Sequence, residues 1–229
     1  MDEHSLLFRI SIWVVPLLFA IPLHEAAHGW VASKLGDDTA LRAGRVTFNP
    51  FKHIDLFGTI ILPALLLMAS GGRMAFGYAK PVPVNFLNLR SFRRDMVLVA
   101  IAGPFSNLIL ALASGALLHT VQFLPEAAWA WAITSLRMSM LLNMILFFFN
   151  LIPLPPLDGG RVLVAVLPRS LAIMVSRLER AGFAIILGAL FLLPWLGDAV
   201  GMDLNIFWWL IGVPAYWSME LITELVGLG

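Results

Sequence analysis

The stretch Ile21 to Trp30 reads IPLHEAAHGW and sets His24, Glu25 and His28 in an H-E-x-x-H arrangement. On an α-helix positions i and i+4 share a face, so the two imidazoles can grip one metal ion. Glu25 lies about 100° round the helix from His24, within reach of a water beside that metal. Two imidazoles on zinc with a neighbouring carboxylate as general base is an arrangement that hydrolyses peptide bonds. A chance match would have to explain why the motif sits in a strongly apolar stretch. Ionisable groups there cost about 2.5 to 3.5 kcal/mol each on insertion scales, which argues for a function.

Two imidazoles leave a catalytic zinc one protein ligand short. His4 and His119 fall at the outer ends of their apolar segments in the topology derived below, away from His24 and His28. His53, in NPFKHID, is on the right side but in a loop, where a polar contact explains it as well as ligation does. The stronger candidate is Asp158 in NLIPLPPLDGGR, residues 150–161. Pro153, Pro155 and Pro156 break the helix there, and Gly159-Gly160 permits a tight turn. A charge at the inner end of a span is expensive unless paired or metal-bound. Capping of the following helix is the bland alternative, and the presence of HEAAH on the same side favours ligation. Asn150, an amide just before the broken helix, could hold a substrate carbonyl or oxyanion. Gly103, Pro104 and Asn107 in AGPFSN read mainly as packing: a small residue for close helix approach, and an amide that wants a polar partner.

The elements that must position these groups are membrane spans. Of 229 residues 60% are hydrophobic and only 13% charged, with a mean hydropathy of +0.88. Those values lie far from the soluble norm and point to one polytopic domain. The net charge of +1 offers nothing to nucleic acid. The absence of cysteine excludes disulfides, iron–sulfur clusters and thiol catalysis. A metal must then be held by His, Asp, Glu or backbone. The N-terminus lacks a basic n-region and cleavage site, so the first apolar run reads as a retained span.

Apolar segments fall at about 5–33, 56–70, 96–118, 129–153, 181–196 and 204–224. The connections after the first, second and fourth carry Lys and Arg; those after the third and fifth carry none. If all six spanned, this bias would be scrambled. With 56–70 as a re-entrant half-span, every basic connection falls on one side, giving an outer N-terminus, five spans and a cytoplasmic C-terminus. Arg137 is the exception, placed to snorkel outward. The expected fold is therefore an all-α polytopic membrane protein with about five transmembrane helices, a re-entrant segment and a short membrane-associated extended hairpin or loop. Residues 77–85, GYAKPVPVN, form that extended piece, since Pro81 and Pro83 bias their neighbours toward extended geometry. Lys80, Pro81, Val82 and Pro83 could pair with an unwound peptide by strand addition, a plain connecting loop being an equal alternative.

Taken together these residues resemble the site-2 protease family of intramembrane zinc metalloproteases. The matching blocks are HEAAH at 24–28, AGPFSN at 102–107 and FFNLIPLPPLDGGR at 148–161, with NPFKHIDLFGT at 49–59 and GYAKPVPVN at 77–85. The resemblance implies that His24, His28 and Asp158 bind one zinc ion per chain, that Glu25 is the catalytic base, and that Asn150 helps position substrate. It implies a three-helix core within residues 5–165, with helices at about 181–224 flanking it, in the lipid bilayer of a bacterial cell membrane. Gly103, Pro104, Asn107 and Gly159 would support the site, and the substrate would be a transmembrane protein. Two departures stand out: there is no room for the PDZ or CBS domain of many relatives, and no additional span precedes the catalytic helix. Regulation would then fall to a membrane partner, self-association or the embedded elements. The alternative is a zinc transporter built on the same helix-borne ligands. It is disfavoured because no internal repeat is visible and the ionisable residues cluster at one depth.

Overall fold

The computed structural model describes residues 6–69 and 77–228. His4 and the Gly71-Gly72 and Arg73 part of the second connection lie outside the described residues. The chain opens with the long helix α1 (Leu6–Lys34), followed by the short α2 (Thr39–Arg42). A 3-10 turn at Pro50–Lys52 precedes a π-helical stretch, Leu56–Ile61, that runs into α3 (Leu62–Ala69). After the extended residues 77–85 come α4 (Phe92–Leu117) and α5 (Glu126–Leu151). The amphipathic α6 (Asp158–Val166) and α7 (Arg169–Arg177) follow. Then α8 (Glu179–Leu187) continues through a π turn into α9 (Leu193–Val200), and a second π turn at Trp208–Gly212 leads into α10 (Val213–Leu225). No β-strand occurs among the described residues, in keeping with the expected all-helical class.

Among the described residues four helices are long and apolar enough to cross a membrane: Leu7–Lys34, Phe92–Phe123, Glu126–Leu151 and Glu179–Val200. Only 33%, 39%, 33% and 17% of their most apolar windows are buried inside the protein. Helices this apolar and this little covered by protein must bury the rest of their surface in lipid. Leu56–Met68 is apolar but shorter than a span. The helical stretch from Trp208 is not among the four, its apolar run being diluted by Trp208, Trp209, Tyr216, Trp217, Glu220 and Glu224.

Helices α1, α4 and α5 pack on one another as the central layer, with α6 against α4 and α10 against α5. Ala111, Met140, Leu141, Met144, Ala215 and Ile222 form a buried apolar cluster between α4, α5 and α10. Beside it runs a polar seam between α4 and α5: Asn107 Nδ2 donates to Asn143 Oδ1 at 2.8 Å, and the Ser114 and Ser139 hydroxyls are 2.8 Å apart. Lipid tails offer no hydrophobic drive for helix association, so small residues and such interhelical hydrogen bonds orient the helices.

Residues 77–85 are extended, without a partner strand among the described residues. They lie as a strap pinned from one side: the Tyr78 N–H donates to the Gly58 carbonyl, that of Lys80 to the His53 carbonyl and that of Val82 to Glu25 Oε2. The alternation at 78, 80 and 82 is the period of an extended chain. The far end is clamped by Asp37, which is fully buried just beyond α1. Its Oδ2 accepts the Asn85 N–H at 2.7 Å, and its Oδ1 accepts the Asn88 side-chain amide at 2.8 Å and the Thr39 N–H at 3.2 Å.

Burial alone would raise the pKa of Asp37, but the hydrogen bonds from Thr39, Asn88 and Asn85 outweigh it and hold the carboxyl below its usual range. A group depressed in the folded state stabilises fully above its unfolded value of about 3.9. That contribution is lost as pH falls through the lower folded value. Acidification below about pH 4 should therefore loosen the strap, read as faster proteolysis or amide exchange over residues 77–88. Asp37→Ala should loosen it already at pH 7, costing about 1–3 kcal/mol, and should remove the acid step.

Candidate active site

His24 and His28 stand one turn apart on α1, both buried at 8% and 4% exposure, with Asp158 at 5%. The three come together. His24 Nε2 and His28 Nε2 are 3.1 Å apart, and each is 3.2 Å from Asp158 Oδ2. Ligands about 2.0–2.1 Å from a tetrahedral zinc would sit about 3.3 Å from one another, so this triangle fits that ion with a fourth position open. Asp158 Oδ2 is fully buried and makes no hydrogen bond despite its two imidazole neighbours. An orphaned anionic acceptor facing two nitrogen lone pairs is what a cation would satisfy.

The other ring nitrogens are already used. His28 Nδ1–H donates to the Val99 carbonyl at 2.7 Å; a carbonyl only accepts, so the Nε2 lone pair is left for the centre. His24 Nδ1 is 2.6 Å from Asn107 Oδ1. The orientation of that amide is set from deeper in the seam. Asn143 Nδ2 donates to the Ser139 carbonyl at 2.8 Å, which turns Asn143 Oδ1 toward Asn107 Nδ2. Asn107 Oδ1 is thereby left to accept from His24 Nδ1–H, and both imidazoles present bare Nε2 atoms. Asn107 and Asn143 are 0% and 1% exposed, so nothing in solvent competes.

Glycine at 103 is a steric requirement of this arrangement. A Cβ built there would run into both Nε2 atoms, so the imidazoles lie directly over the α4 backbone. Asp158 is the first residue of α6, where the helix N-terminus favours a carboxylate. A Cβ on Gly159 would meet the Leu151 and Ile152 carbonyls, so only glycine lets α6 fold back against the end of α5. Asp158 Oδ1 is 3.6 Å from Arg161 Nη1, and that guanidinium also lies over the Phe86 ring.

His24, Glu25, Asn150, Pro81 and Arg161 share the wall of one cavity of about 460 Å³. One Asn150 amide hydrogen is committed to the Leu146 carbonyl at 3.0 Å, leaving the other to donate into the cavity. Of the strap residues singled out in the sequence, Pro81 faces this cavity, whereas Lys80, Val82 and Pro83 do not line it. Pro104 is buried in α4 beside Gly103. His53 is apart from the ligand triangle: its Nε2–H donates to the Thr47 carbonyl at 3.0 Å, a polar contact. His119 Nε2 bonds the Val226 carbonyl, also away from the centre.

Known proteins carry the same stamp. The model of peptidase family M50 matches residues 115–193, the stretch that contains Asn150 and Asp158. A Bacillus subtilis protein named "Putative zinc metalloprotease YwhC" is 42% identical over 185 residues, 79% of this chain and 80% of that one. This chain belongs to peptidase family M50. A Mycobacterium tuberculosis (strain H37Rv) protein named "Putative zinc metalloprotease Rip2" is 30% identical over 212 residues, 93% of this chain and 73% of its own length. The Rip2 of Mycolicibacterium smegmatis is 30% identical over 142 residues, 62% of this chain and 52% of that protein. No solved structure matches the chain. The M50 assignment agrees with the donor set: two imidazoles and a carboxylate suit zinc, and His24, His28 and Asp158 are the residues that could hold it.

Asn143, the Val99 carbonyl and Arg161 are parts of the site that motif reading did not single out. Asn107→Leu and Asn143→Leu should each weaken zinc affinity about 10–100-fold in chelator competition, while thermal stability changes less. Gly103→Ala should abolish stoichiometric zinc binding. Unchanged affinity in all three would mean that the imidazoles are not oriented through α4.

Proposed function

We propose that this M50 member is an intramembrane zinc metalloendopeptidase that hydrolyses peptide bonds within or near transmembrane helices of membrane-protein substrates, in regulated intramembrane proteolysis. The observation that carries the reading is the convergence of His24, His28 and Asp158 on one point, with Glu25 and Asn150 on the wall of the same cavity. A transporter would need ligands strung along a path, and this set closes on a single centre.

His24, His28 and Asp158 would hold the zinc, whose Lewis acidity would acidify a water and polarise a peptide carbonyl. Glu25, with Oε2 taking the Val82 N–H and Oε1 left open, accepts the water proton. The water oxygen bonds to the carbonyl carbon, the C–N bond breaks, and Glu25 passes its proton to the leaving amine. The remaining Asn150 amide hydrogen donates to the substrate carbonyl oxygen and orients it. A helical substrate must unwind locally to expose that carbonyl, and we assign its capture to the outer edge of the strap 80–83. Ala79 and Pro81 line the cavity and present the outer edge, on which carbonyl acceptors outnumber N–H donors because Pro81 and Pro83 have none.

In this reading residues 5–165 form the catalytic core and the helices at 181–224 flank it, within a single domain spanning 1–229. Five segments span, including 204–224, and 56–70 is re-entrant. The Lys and Arg bias sets the N-terminus outside and the C-terminus in the cytoplasm of a bacterial cell. Regulation comes from a membrane partner or from self-association.

Cleavage of a model transmembrane substrate in detergent tests this directly. Glu25→Gln should lower kcat by at least about 100-fold at equal zinc content. Asn150→Leu should retain zinc and lower kcat/KM by about 10–1,000-fold. Cleavage by Glu25→Gln at the wild-type rate would rule out Glu25 as the base.

A further inference from the structure

Among the described residues the strap meets Glu25 through one hydrogen bond, and the chain around it keeps that bond in place. The Val82 N–H donates to Glu25 Oε2 at 2.7 Å. Pro81 and Pro83 have no N–H, so between Lys80 and Val84 the strap holds a single main-chain donor. The same prolines restrict the backbone on either side of Val82, which keeps that donor aimed. The Val82 side chain is 7% exposed and sits in a notch over Gly29, one turn beyond Glu25 on α1. A Cβ on Gly29 would lie 3.0 Å from Val82 Cγ1 and 2.9 Å from both Ala40 Cβ and Val46 Cγ2, so a side chain there would push the strap away from the base.

A buried cation fixes the register. Arg45 is 8% exposed, and no carboxylate pairs with it among the described residues. Its Nη2 donates to the Lys80 carbonyl at 2.8 Å and lies 3.5 Å from that of Pro81, while its Nε has no partner. A desolvated guanidinium with only carbonyls for company is costly, and what it holds is the two residues preceding Val82. With the Lys80 N–H on the His53 carbonyl and the Asn85 N–H on Asp37, the strap is fixed on both sides of the Val82 N–H.

We propose that the main-chain N–H of Val82 is the positioning group for Glu25, and that Arg45 holds it in register. This inference rests on the reading of Glu25 as the base. It divides the strap in two: the residues facing the cavity meet substrate, while Val82 faces inward and aims the carboxylate. Capture should govern KM and aiming should govern kcat.

The test compares Val82→Pro, which removes the N–H, with Val82→Ala, which keeps it and loses the side chain. Val82→Pro should lower kcat at least about 10-fold beyond Val82→Ala, with KM within about twofold and zinc retained. In a Glu25→Asp background, whose shorter side chain gives up the contact, Val82→Pro should add little further loss, because a pair acting through one bond is not additive. Arg45→Ala should reproduce the kcat loss and Arg45→Lys should recover part of it.

Amide exchange provides a readout free of activity. The Val82 amide should be protected in the wild type and exchange at least about 10-fold faster in Glu25→Ala, with Lys80 unchanged; this arm decides the matter should Val82→Pro fail to fold. Equal kinetics for Val82→Pro and Val82→Ala, or Val82 protection that is indifferent to Glu25, would overturn the inference while leaving the peptidase intact. A wild type that cuts nothing would remove the peptidase reading and this inference with it.

Discussion

Three lone-pair donors held within 3.2 Å of one another in a buried setting repel unless a cation lies between them. Most of the architecture follows from keeping His24, His28 and Asp158 in that position. Two come from successive turns of α1, and the third from the first residue of α6. Gly103 removes the side chain that would fill the space, and Gly159 lets α6 turn back under α5. Val99 and the Asn107–Asn143 chain occupy the distal nitrogens, so that both rings turn Nε2 toward Asp158. The polar seam between α4 and α5 thus has two consequences from one set of bonds: it orients the helices in lipid and fixes the orientation of the His24 ring.

The strap adds a second constraint. A general base on a helix has several rotamers, and its aim decides how often it meets the water. Here the aim is set from outside the helix by residues that the H-E-x-x-H motif does not include. Gly29 opens the notch, Arg45 and Asp37 set the register, and the Pro-Val-Pro run leaves one donor in place. The His24–His28–Asp158 triangle and the Glu25 carboxylate are therefore held by different parts of the fold, and each can be perturbed without the other.

How much of this was legible in the sequence depends on whether an interaction is local. His24, Glu25 and His28 are read at once because helical period alone puts them together. Asp158 is read by its energetic cost, since a carboxylate after a broken span needs a reason. The spans at 7–34, 92–123, 126–151 and 179–200 are plain in the hydropathy, whereas the tryptophan-rich run after 204 is helical but less apolar. Asn107 showed a wish for a partner without naming one. Asn143, mid-helix among apolar residues, gave no sign that it would meet Asn107 36 positions away. Main-chain groups such as the Val99 carbonyl and the Val82 N–H carry no residue-type signal at all. Arg45 and Asp37 looked like ordinary loop charges, because burial is decided by tertiary packing.

Whether two imidazoles of α1 and the carboxylate of α6 hold one zinc ion is decided by X-ray absorption on the zinc-loaded protein. The expected spectrum shows one zinc per chain with two imidazole nitrogens and oxygen ligands at about 2.0–2.2 Å, and that signature is lost in His28→Ala. A spectrum with fewer than two imidazoles, or full zinc occupancy surviving in His28→Ala, would contradict it.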